Sequence, residues 1–190
     1  MNTYTTTKLF GGKRGDVFRD IFVLDANGKL LVNGPEEKPE LDVNHPIQKI
    51  VVYSHSKPLS GMSVTYQLAN GGNITLSHGY QQGPLVQVVE FNANERLAGV
   101  FGRVLSFDDS HAGDLILSLG FVIFNASTGA IRVVNPPGTP NKQTPEVMNP
   151  SPRYIPFYVS DVLAFGGFDA PDTEEYTRIE GLFFYKNVAA

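Results

Sequence analysis

The strongest constraint on the fold is an alternation of apolar and polar residues. In residues 62–68 every even position is apolar and every odd position is polar. Successive side chains of a β-strand point to opposite faces, so this segment buries one face and exposes the other. No window of about eleven residues or more shows the apolar stripe of an amphipathic helix. The sequence therefore predicts an all-β protein with minimal helix.

Further strands are predicted where β-branched and aromatic residues cluster. These segments are 21–24, 30–32, 50–53, 74–76, 86–91, 97–101, 115–124, 131–134, 157–165 and 182–185. Asn27-Gly28 and Asn70-Gly71-Gly72 each separate two strand segments and predict hairpins, because glycine adopts positive φ at little cost. About ten to twelve short strands favour a sandwich, barrel or prism, since one open sheet of that size leaves edges and a bare face exposed.

The chain is predicted to form a single domain, 1–190. Its 190 residues are near the length of one domain, and no composition shift divides them. The irregular stretch is 135–156, which contains seven prolines. Proline has no amide donor, and strands follow this stretch at once, so it is predicted to be an ordered loop within the domain rather than a linker.

Composition excludes several classes of function. The chain has no cysteine, and its 15 basic and 19 acidic residues give a net charge of −4, without the basic patch that nucleic-acid binding requires. The first residues show neither the basic nor the apolar region of a secretory leader. The longest apolar stretch, 115–124, is about half the length of a membrane span. We therefore expect no membrane insertion and a cytoplasmic or non-classically secreted protein.

Catalytic and metal-binding patterns are missing. The four histidines are dispersed, and no HxH or HExxH pair is present. The run Asp108-Asp109-Ser110-His111 lacks the GxSxG context of a nucleophile, so a polar loop is the favoured interpretation. We expect no metal, no other cofactor and no enzymatic activity.

Two loops have the residues for binding a sugar. Residues 10–16 contain three glycines, which allow backbone amides to approach a ligand closely. Residues 166–180 contain five acids together with aromatic side chains. A carboxylate accepts hydrogen bonds from two hydroxyls, and an aromatic ring covers the apolar face of a pyranose. The alternatives are a mobile N-terminal turn for the first loop and a solvated acidic loop for the second.

In their order and spacing, these segments resemble the jacalin-related lectins over nearly the whole chain. The resemblance is carried by residues 10–20, 47–53, 62–66, 78–83, 89–91, 95–102, 117–125, 162–167 and 179–185. Residues 117–125 are similar to the SLxFxTN strand of that family, and the last two segments are similar to its closing hairpin. The resemblance implies a β-prism I of three Greek-key four-stranded sheets with pseudo-threefold symmetry.

The resemblance also implies where a sugar binds. In that family the pocket lies at one end of the prism, between a Gly-Gly loop near the N-terminus and a GxxxD loop before the last strand, with no metal ion. The uncleaved, mannose-type branch looks nearer, because no internal processing signal is visible. Gly11 and Gly12, with the adjacent Lys13, match the first loop.

The second loop departs from the family pattern. Its GxxxD motif falls on residues 176–180, so Tyr176 replaces the glycine and Glu180 replaces the aspartate. The segment is also several residues longer, and its acidic insert offers Asp169 or Asp172 instead. The full candidate set for carbohydrate binding is Gly11, Gly12, Lys13, Phe168, Asp169, Asp172, Tyr176, Arg178 and Glu180, with Phe168 or Tyr176 stacking on the ring.

Three functional hypotheses follow. The leading one is a non-enzymatic lectin that binds mannose- or glucose-type glycans and glycoproteins, and that forms a homodimer or a higher homo-oligomer to gain avidity. The second is a β-prism interaction or structural module that has lost sugar binding and uses 135–156 as its partner surface. The third is a glycan hydrolase that uses two of Asp169, Asp172 and Glu180, which requires two carboxyls about 5 to 9.5 Å apart.

Overall fold

The computed structural model describes residues 3–24, 29–34, 38–54, 58–107, 113–136, 153–170 and 178–188. Over this part of the chain it contains fifteen strands and no helix, which confirms the all-β prediction. The strands are β1 (Thr3–Thr6), β2 (Phe10–Gly11), β3 (Asp16–Arg19), β4 (Ile21–Leu24), β5 (Lys29–Val32), β6 (Ile47–Ser54), β7 (Leu59–Gln67), β8 (Asn73–Gly79), β9 (Leu85–Glu90), β10 (Glu95–Ser106), β11 (Leu115–Asn125), β12 (Ile131–Val134), β13 (Arg153–Ser160), β14 (Val162–Asp169) and β15 (Ile179–Val188). No helix within the described residues is long and apolar enough to cross a membrane.

The strands form three main sheets with one connectivity. Two sheets have the orders β8-β7-β6-β9 and β12-β11-β10-β13. In each, the fourth strand along the chain lies beside the first, which is the Greek-key order. The third sheet, β1-β15-β14-β3, has the same order when β14 and β15 are taken as its first two strands and β1 and β3 as its third and fourth, as if the two ends of the chain were joined, and β2 also pairs with β15. This repetition is the expected pseudo-threefold symmetry, with β2 as a fifth strand of the third sheet and β4–β5 as a separate hairpin.

The alternation in β7 shows why these sheets form. Met62, Val64 and Tyr66 are fully buried, whereas the hydroxyls of Ser63 and Thr65 bond to those of Ser77 and Thr75 on β8, each at 2.8 Å. One face of the strand therefore enters the core and the other carries polar pairs. The turn at Asn70-Gly71-Gly72 has the expected positive φ at Gly71, of 87°.

A single hydrophobic core lies between the three sheets, and each sheet contacts the other two. Its largest fully buried side chains include Tyr66, Phe121, Phe165 and Phe184, which come from all three sheets. Burying one such side chain stabilises the fold by about 1.5–3 kcal/mol. Three Greek-key sheets around one core make a β-prism, as the resemblance implies.

Residues 157–165 were expected to form one strand, and this prediction is wrong. The segment divides at Asp161, whose φ is 57°, so β13 joins one sheet and β14 joins another. The Asp161 amide donates to the Ala98 carbonyl oxygen at 3.0 Å, which stabilises the corner. Apolar residues are needed on both sides of this corner, so periodicity does not reveal it.

The proline-rich segment is shorter than 135–156, because β13 begins at Arg153. Pro156 lies inside β13, opposite Arg103, on the edge strand of its sheet, where a missing amide donor is tolerated. Residues 137–152 lie outside the described residues, as does the predicted turn at Asn27-Gly28, although the flanking β4 and β5 pair as expected.

A buried carboxylate connects two of the sheets. Asp20 is fully buried at the corner between β3 and β4, and it accepts hydrogen bonds from the Tyr66 hydroxyl at 2.5 Å and from His78 Nε2 at 2.6 Å. The Phe165 amide donates to the same Tyr66 oxygen at 3.1 Å. Burial, followed by the charge of Asp20, raises the pKa of Tyr66 well above its ordinary value, so the phenol remains a neutral donor. The Phe18 ring stacks on His78, with 3.7 Å between centroids.

A second carboxylate, Glu95 at the start of β10, fixes β12. Glu95 accepts two hydrogen bonds from Arg132, at 2.8 and 2.9 Å, and one from the Asn92 amide at 3.0 Å. Arg132 also donates to the Glu90 carbonyl oxygen at 2.8 Å. The hydrogen bonds from Arg132 are the main reason that the pKa of Glu95 falls from 4.5 to about 2.

We predict that Asp20→Asn lowers the free energy of unfolding by about 2 kcal/mol or more. The amide oxygen still accepts from one of the two donors, Tyr66 or His78, but the NH₂ group faces the other, which leaves buried polar groups unsatisfied. Urea unfolding of the variant measures this loss. Asp16→Asn, at an exposed position of the preceding strand β3, is the control and should change stability by less than about 0.5 kcal/mol. An equal effect of the two substitutions would contradict the role assigned to Asp20.

We also predict an acid-dependent loss of stability that requires Glu95. The folded-state pKa is the lower one, so the contribution of this carboxylate is complete above about pH 4.5 and declines as the pH falls towards 2. Unfolding free energies measured from pH 6 to pH 2 should therefore show the wild type and Glu95→Gln converging as the pH falls. Glu90→Gln, which removes an exposed carboxylate paired with Lys49, should leave the wild-type profile nearly unchanged. A constant gap between wild type and Glu95→Gln over this range would contradict the prediction.

Candidate functional site

One end of the prism brings the two predicted loops together. β2 and β14 end there, and β3 and β15 begin there. We call this the glycine-loop end and define it by Gly12–Gly15, Gly79, Asp114, Asp169 and 178–180. Asp169 contacts Gly79 of a second sheet, and Gly12 lies against Asp114, which precedes β11 of the third. All three sheets therefore meet at this end.

Gly11 and Gly12 are required by close backbone contacts. Gly11 has a φ of 88°, and a Cβ there would collide with the Glu180 carbonyl oxygen. A Cβ on Gly12 would lie 2.6 Å from the Asp114 carbonyl oxygen. The Gly12 amide donates to the Glu180 carbonyl oxygen at 3.0 Å. The Gly12 amide is therefore engaged within the protein, and the loop amides that can meet a ligand begin at Lys13.

The same loop ends against the other candidate acid. Gly15 has a φ of 87°, and a Cβ there would collide with the carbonyl group of Asp169. Lys13 and Arg14, between the two glycines, are both exposed. The segment Gly12–Gly15 therefore runs from the backbone of Glu180 to that of Asp169, and it presents two cationic side chains between them.

Asp169 has a structural contact of its own. One oxygen of this half-exposed carboxylate, Oδ2, accepts a hydrogen bond from the Gly79 amide at 2.9 Å. The Ala170 amide donates to the Arg178 carbonyl oxygen at 3.1 Å, which closes the base of the acidic loop. The predicted residues Asp172 and Tyr176 lie in 171–177, outside the described residues.

Glu180 lies inside the protein. It is 1% exposed, and its Oε1 accepts a hydrogen bond from Arg178 Nε at 2.8 Å. Its Oε2 is buried and makes no hydrogen bond among the described residues. The side chain of Arg178 is 35% exposed. At this position the group that meets solvent is therefore the Arg178 guanidinium, and Glu180 orients it.

Phe168 and Lys13 line a groove on the outer face of the third sheet. The groove has a volume of about 470 Å³ and also includes Phe183, Tyr185 and Arg19. Gly166 lies beneath the Phe183 ring, where a Cβ would collide with the ring. Burial is the main cause that raises the pKa of Tyr185, so its phenol is neutral. Neither Asp169 nor Glu180 lines this groove.

The candidate residues therefore divide into two neighbouring groups. Gly11, Gly12 and Glu180 form a compact cluster with the partly exposed Arg178, whereas Lys13 and Phe168 face the groove. Asp169 lies between them, at the end of the glycine loop and against Gly79. Sequence reasoning missed Asp114 and Gly79, which contact the two loops. The only sequence signal for Asp114 is its place before an apolar strand.

The chemistry of this end is that of hydrogen bonding and ring stacking. Among the described residues, no group of three or more His, Cys, Asp or Glu side chains could hold a metal ion. Among the described residues of this end, exposed cations, the partly exposed carboxylate of Asp169 and an aromatic groove provide hydrogen-bond donors, an acceptor and a stacking face for a ligand.

Comparison with known proteins supports the fold. No protein-family model matches the chain, and no curated protein sequence matches it. Among solved structures, AcmJRL, a mannose-binding jacalin-related lectin from Ananas comosus, is 17% identical, with a TM-score of 0.58 over 98% of this chain and 99% of that one. A mannose-specific jacalin-related lectin from Morus nigra, solved with mannose, is 18% identical, with a TM-score of 0.58 over 99% of this chain and 97% of that one. Frutapin, a lectin from Artocarpus incisa, is 19% identical, with a TM-score of 0.58 over 97% of each chain.

These three likenesses extend over the whole chain and confirm the resemblance at the level of the fold. At identities below 20% the likeness lies in the backbone rather than in the site residues. The protein has the β-prism fold of the jacalin-related lectins.

Proposed function

We propose that this protein is a non-enzymatic lectin that binds mannose- or glucose-type glycans at the glycine-loop end, without a metal ion. The observation that carries the proposal is the segment Gly12–Gly15, which is fixed at one end against Glu180 and at the other against Asp169. A loop held at both ends keeps its amides in place before a ligand arrives, so little ordering entropy is lost on binding. The neighbouring folds include mannose-binding proteins.

The proposed contacts use groups that remain accessible. Loop amides from Lys13 onward donate to ring hydroxyls, and the Arg178 guanidinium donates further hydrogen bonds. Asp169 has one oxygen engaged by Gly79, and its other oxygen accepts from a hydroxyl. Phe168, in the adjacent groove, covers the apolar face of the sugar. Asp172 and Tyr176 remain candidates for the same roles.

A site of this kind is weak when it acts alone. A shallow polar pocket gives a dissociation constant near 1 mM, or about 4 kcal/mol. Several sites on one assembly raise the apparent affinity for a branched glycan by orders of magnitude. The proposed function therefore includes a homodimer or a higher homo-oligomer.

A second candidate function is favoured by the burial of Glu180. The residue at the family's aspartate position is 1% exposed and paired with Arg178, and the Gly12 amide is already used. These contacts are those expected of a β-prism that retains the loop structure at this end but has lost the sugar pocket. Such a protein would act as an interaction module.

A glycan array with and without chelator separates the two functions. We predict binding to mannose- or glucose-terminated glycans that EDTA leaves unchanged, because the described residues offer no metal cluster. Silence on the array, together with a protein partner, would support the interaction module. Cleavage of an oligosaccharide during incubation would contradict both.

Asp169→Asn tests the site within the lectin. The variant keeps an oxygen for the Gly79 amide but removes the carboxylate charge, so we predict binding at least about tenfold weaker by glycan titration. Asp42→Asn is the matched control, since Asp42 also accepts a backbone amide, from Asn44, at the opposite end of the prism. If Asp169, Asp172 and Glu180 can each be replaced by alanine without loss of binding, the site assignment fails even if the lectin proposal stands.

A further inference from the structure

The groove on the outer face of the third sheet combines aromatic rings with cations. Its lining includes Thr6, Lys13, Arg19, Phe168, Phe183 and Tyr185, and its volume is about 470 Å³. Pockets for small organic ligands have volumes of roughly 300–1,000 Å³. From this groove, the sugar contacts proposed above use Phe168 and the backbone amide of Lys13. The other lining residues have no part in those contacts.

Strand register and one glycine create an aromatic floor in the groove. Gly166 of β14 lies opposite Phe183 of β15 on one side and opposite Arg19 of β3 on the other. Because Gly166 has no side chain, the Phe183 ring lies over it. The Tyr185 ring is next to that of Phe183, with 5.7 Å between centroids. The rings therefore form a surface on which an apolar face can stack, and Arg19 lies at its edge.

The groove is lined by two cations and by no carboxylate. Lys13 and Arg19 are both exposed, and neither side chain forms an ion pair or a hydrogen bond among the described residues. The chain as a whole has a net charge of −4, so the sign of the charge is reversed here. A ligand that covers these cations removes them from water, which is costly unless the ligand supplies an opposite charge. The lining therefore favours an anionic ligand over a neutral one.

The Tyr185 phenol adds a neutral donor to the same groove. Burial raises the pKa of Tyr185, and the charge of Arg19 opposes this effect without reversing it. The phenol therefore keeps its proton and adds no negative charge that would compete with a bound anion. Thr6, opposite Tyr185 on β1, carries a further hydroxyl. These hydroxyls can bond to the hydroxyls of a sugar.

A second groove, near the start of β6, shows a different arrangement of charge. It has a volume of about 580 Å³, and its lining includes Asp42, Lys49 and Glu90. Lys49 and Glu90 form an ion pair at 3.0 Å. The cation of that groove is compensated within the protein, so the groove has no comparable preference for an anion.

We propose that the groove on the third sheet binds an acidic sugar residue, one that carries a carboxylate or a sulfate, beside the sugar held at the glycine-loop end. The apolar face of its pyranose stacks on the Phe183 ring, and its anionic group pairs with Arg19. Lys13 and Phe168 belong to both sites, so the two sugars are neighbours in one glycan. The proposal rests on the lectin function proposed above, and it names acidic glycans as the ligands.

Isothermal titration calorimetry of the full chain with a matched pair of oligosaccharides tests the proposal. The probes are linear mannotetraose and the tetramannuronate with the same linkages, in which a carboxylate replaces each hydroxymethyl group. We expect tetramannuronate to bind at least about tenfold more tightly at low ionic strength, although both it and the protein carry net negative charge. The preference should decrease in about 0.3 M salt, because salt screens exposed charges.

A sulfated mannotetraose is the third probe, and it distinguishes the two anions. The planar guanidinium of Arg19 can donate two parallel hydrogen bonds to a carboxylate, so tetramannuronate should bind more tightly than the sulfated probe. Tighter binding of either anionic probe than of mannotetraose supports the proposal.

Arg19→Gln should lower the ratio of the association constants for tetramannuronate and mannotetraose at least about fivefold, because the amide carries no charge. Arg19→Lys keeps the charge and should retain most of the preference. Arg103→Gln is the matched control, since it removes an exposed arginine from β10 of another sheet, and it should leave the ratio unchanged. Circular dichroism and thermal unfolding check that each variant is folded.

The possible failures are distinguishable. Equal binding of all three probes by the wild type would overturn the proposal and leave the lectin function in place. A preference for tetramannuronate that Arg19→Gln does not reduce would show that the anion binds elsewhere, which also overturns it. Binding of none of the probes, together with silence on the glycan array, would refute the lectin function and this proposal with it.

Discussion

The third sheet is closed by the two ends of the chain, and the rest of the structure depends on this closure. β14 and β15 come from the C-terminal part, and they are completed by β1, β2 and β3 from the N-terminal part. Without these strands one wall of the prism would have two strands, and Phe165 and Phe184 would lose their cover. The same pairing brings Gly12 to Glu180 and Gly15 to Asp169, so closure of the sheet also builds the glycine-loop end.

Asp20 makes this closure specific. Its carboxylate joins the N-terminal corner to Tyr66 and His78 of another sheet, and Tyr66 in turn binds the Phe165 amide of β14. A buried charge is expensive unless all its partners are in place, so a misaligned N-terminal segment leaves it unsatisfied. Hydrophobic burial alone would tolerate small shifts of these strands. The hydrogen bonds of this network tolerate smaller shifts, because they depend on short distances between specific atoms.

The sequence predicts features that depend on neighbouring residues better than those that depend on distant ones. The alternation in 62–68 and the turn at Gly71 are local, and both are confirmed. The corner at Asp161 is not apparent from the sequence because buried apolar residues stand on both sides of it, Phe157 and Val159 before it and Val162 and Leu163 after it. The burial of Glu180 was equally hidden, since it depends on β2, which lies about 170 residues earlier in the chain. For that reason the sequence predicts an acid at this position, but it does not show whether the carboxylate faces a ligand.

The direction in which copies of the chain associate would matter for binding, because the strands run along the prism. β10 extends from Glu95, at the far end, to Ser106, near the glycine-loop end. A twofold axis parallel to the strands would place both glycine-loop ends on the same side of a dimer, where they could engage one glycan-bearing surface together. An axis across the strands would place them on opposite sides, where the dimer would crosslink two surfaces. Because a single site of millimolar affinity binds weakly, the gain in apparent affinity would come from engaging several sites at once. The direction of this axis would decide whether those sites bind one surface or crosslink two, and it would matter more than any one contact in the pocket.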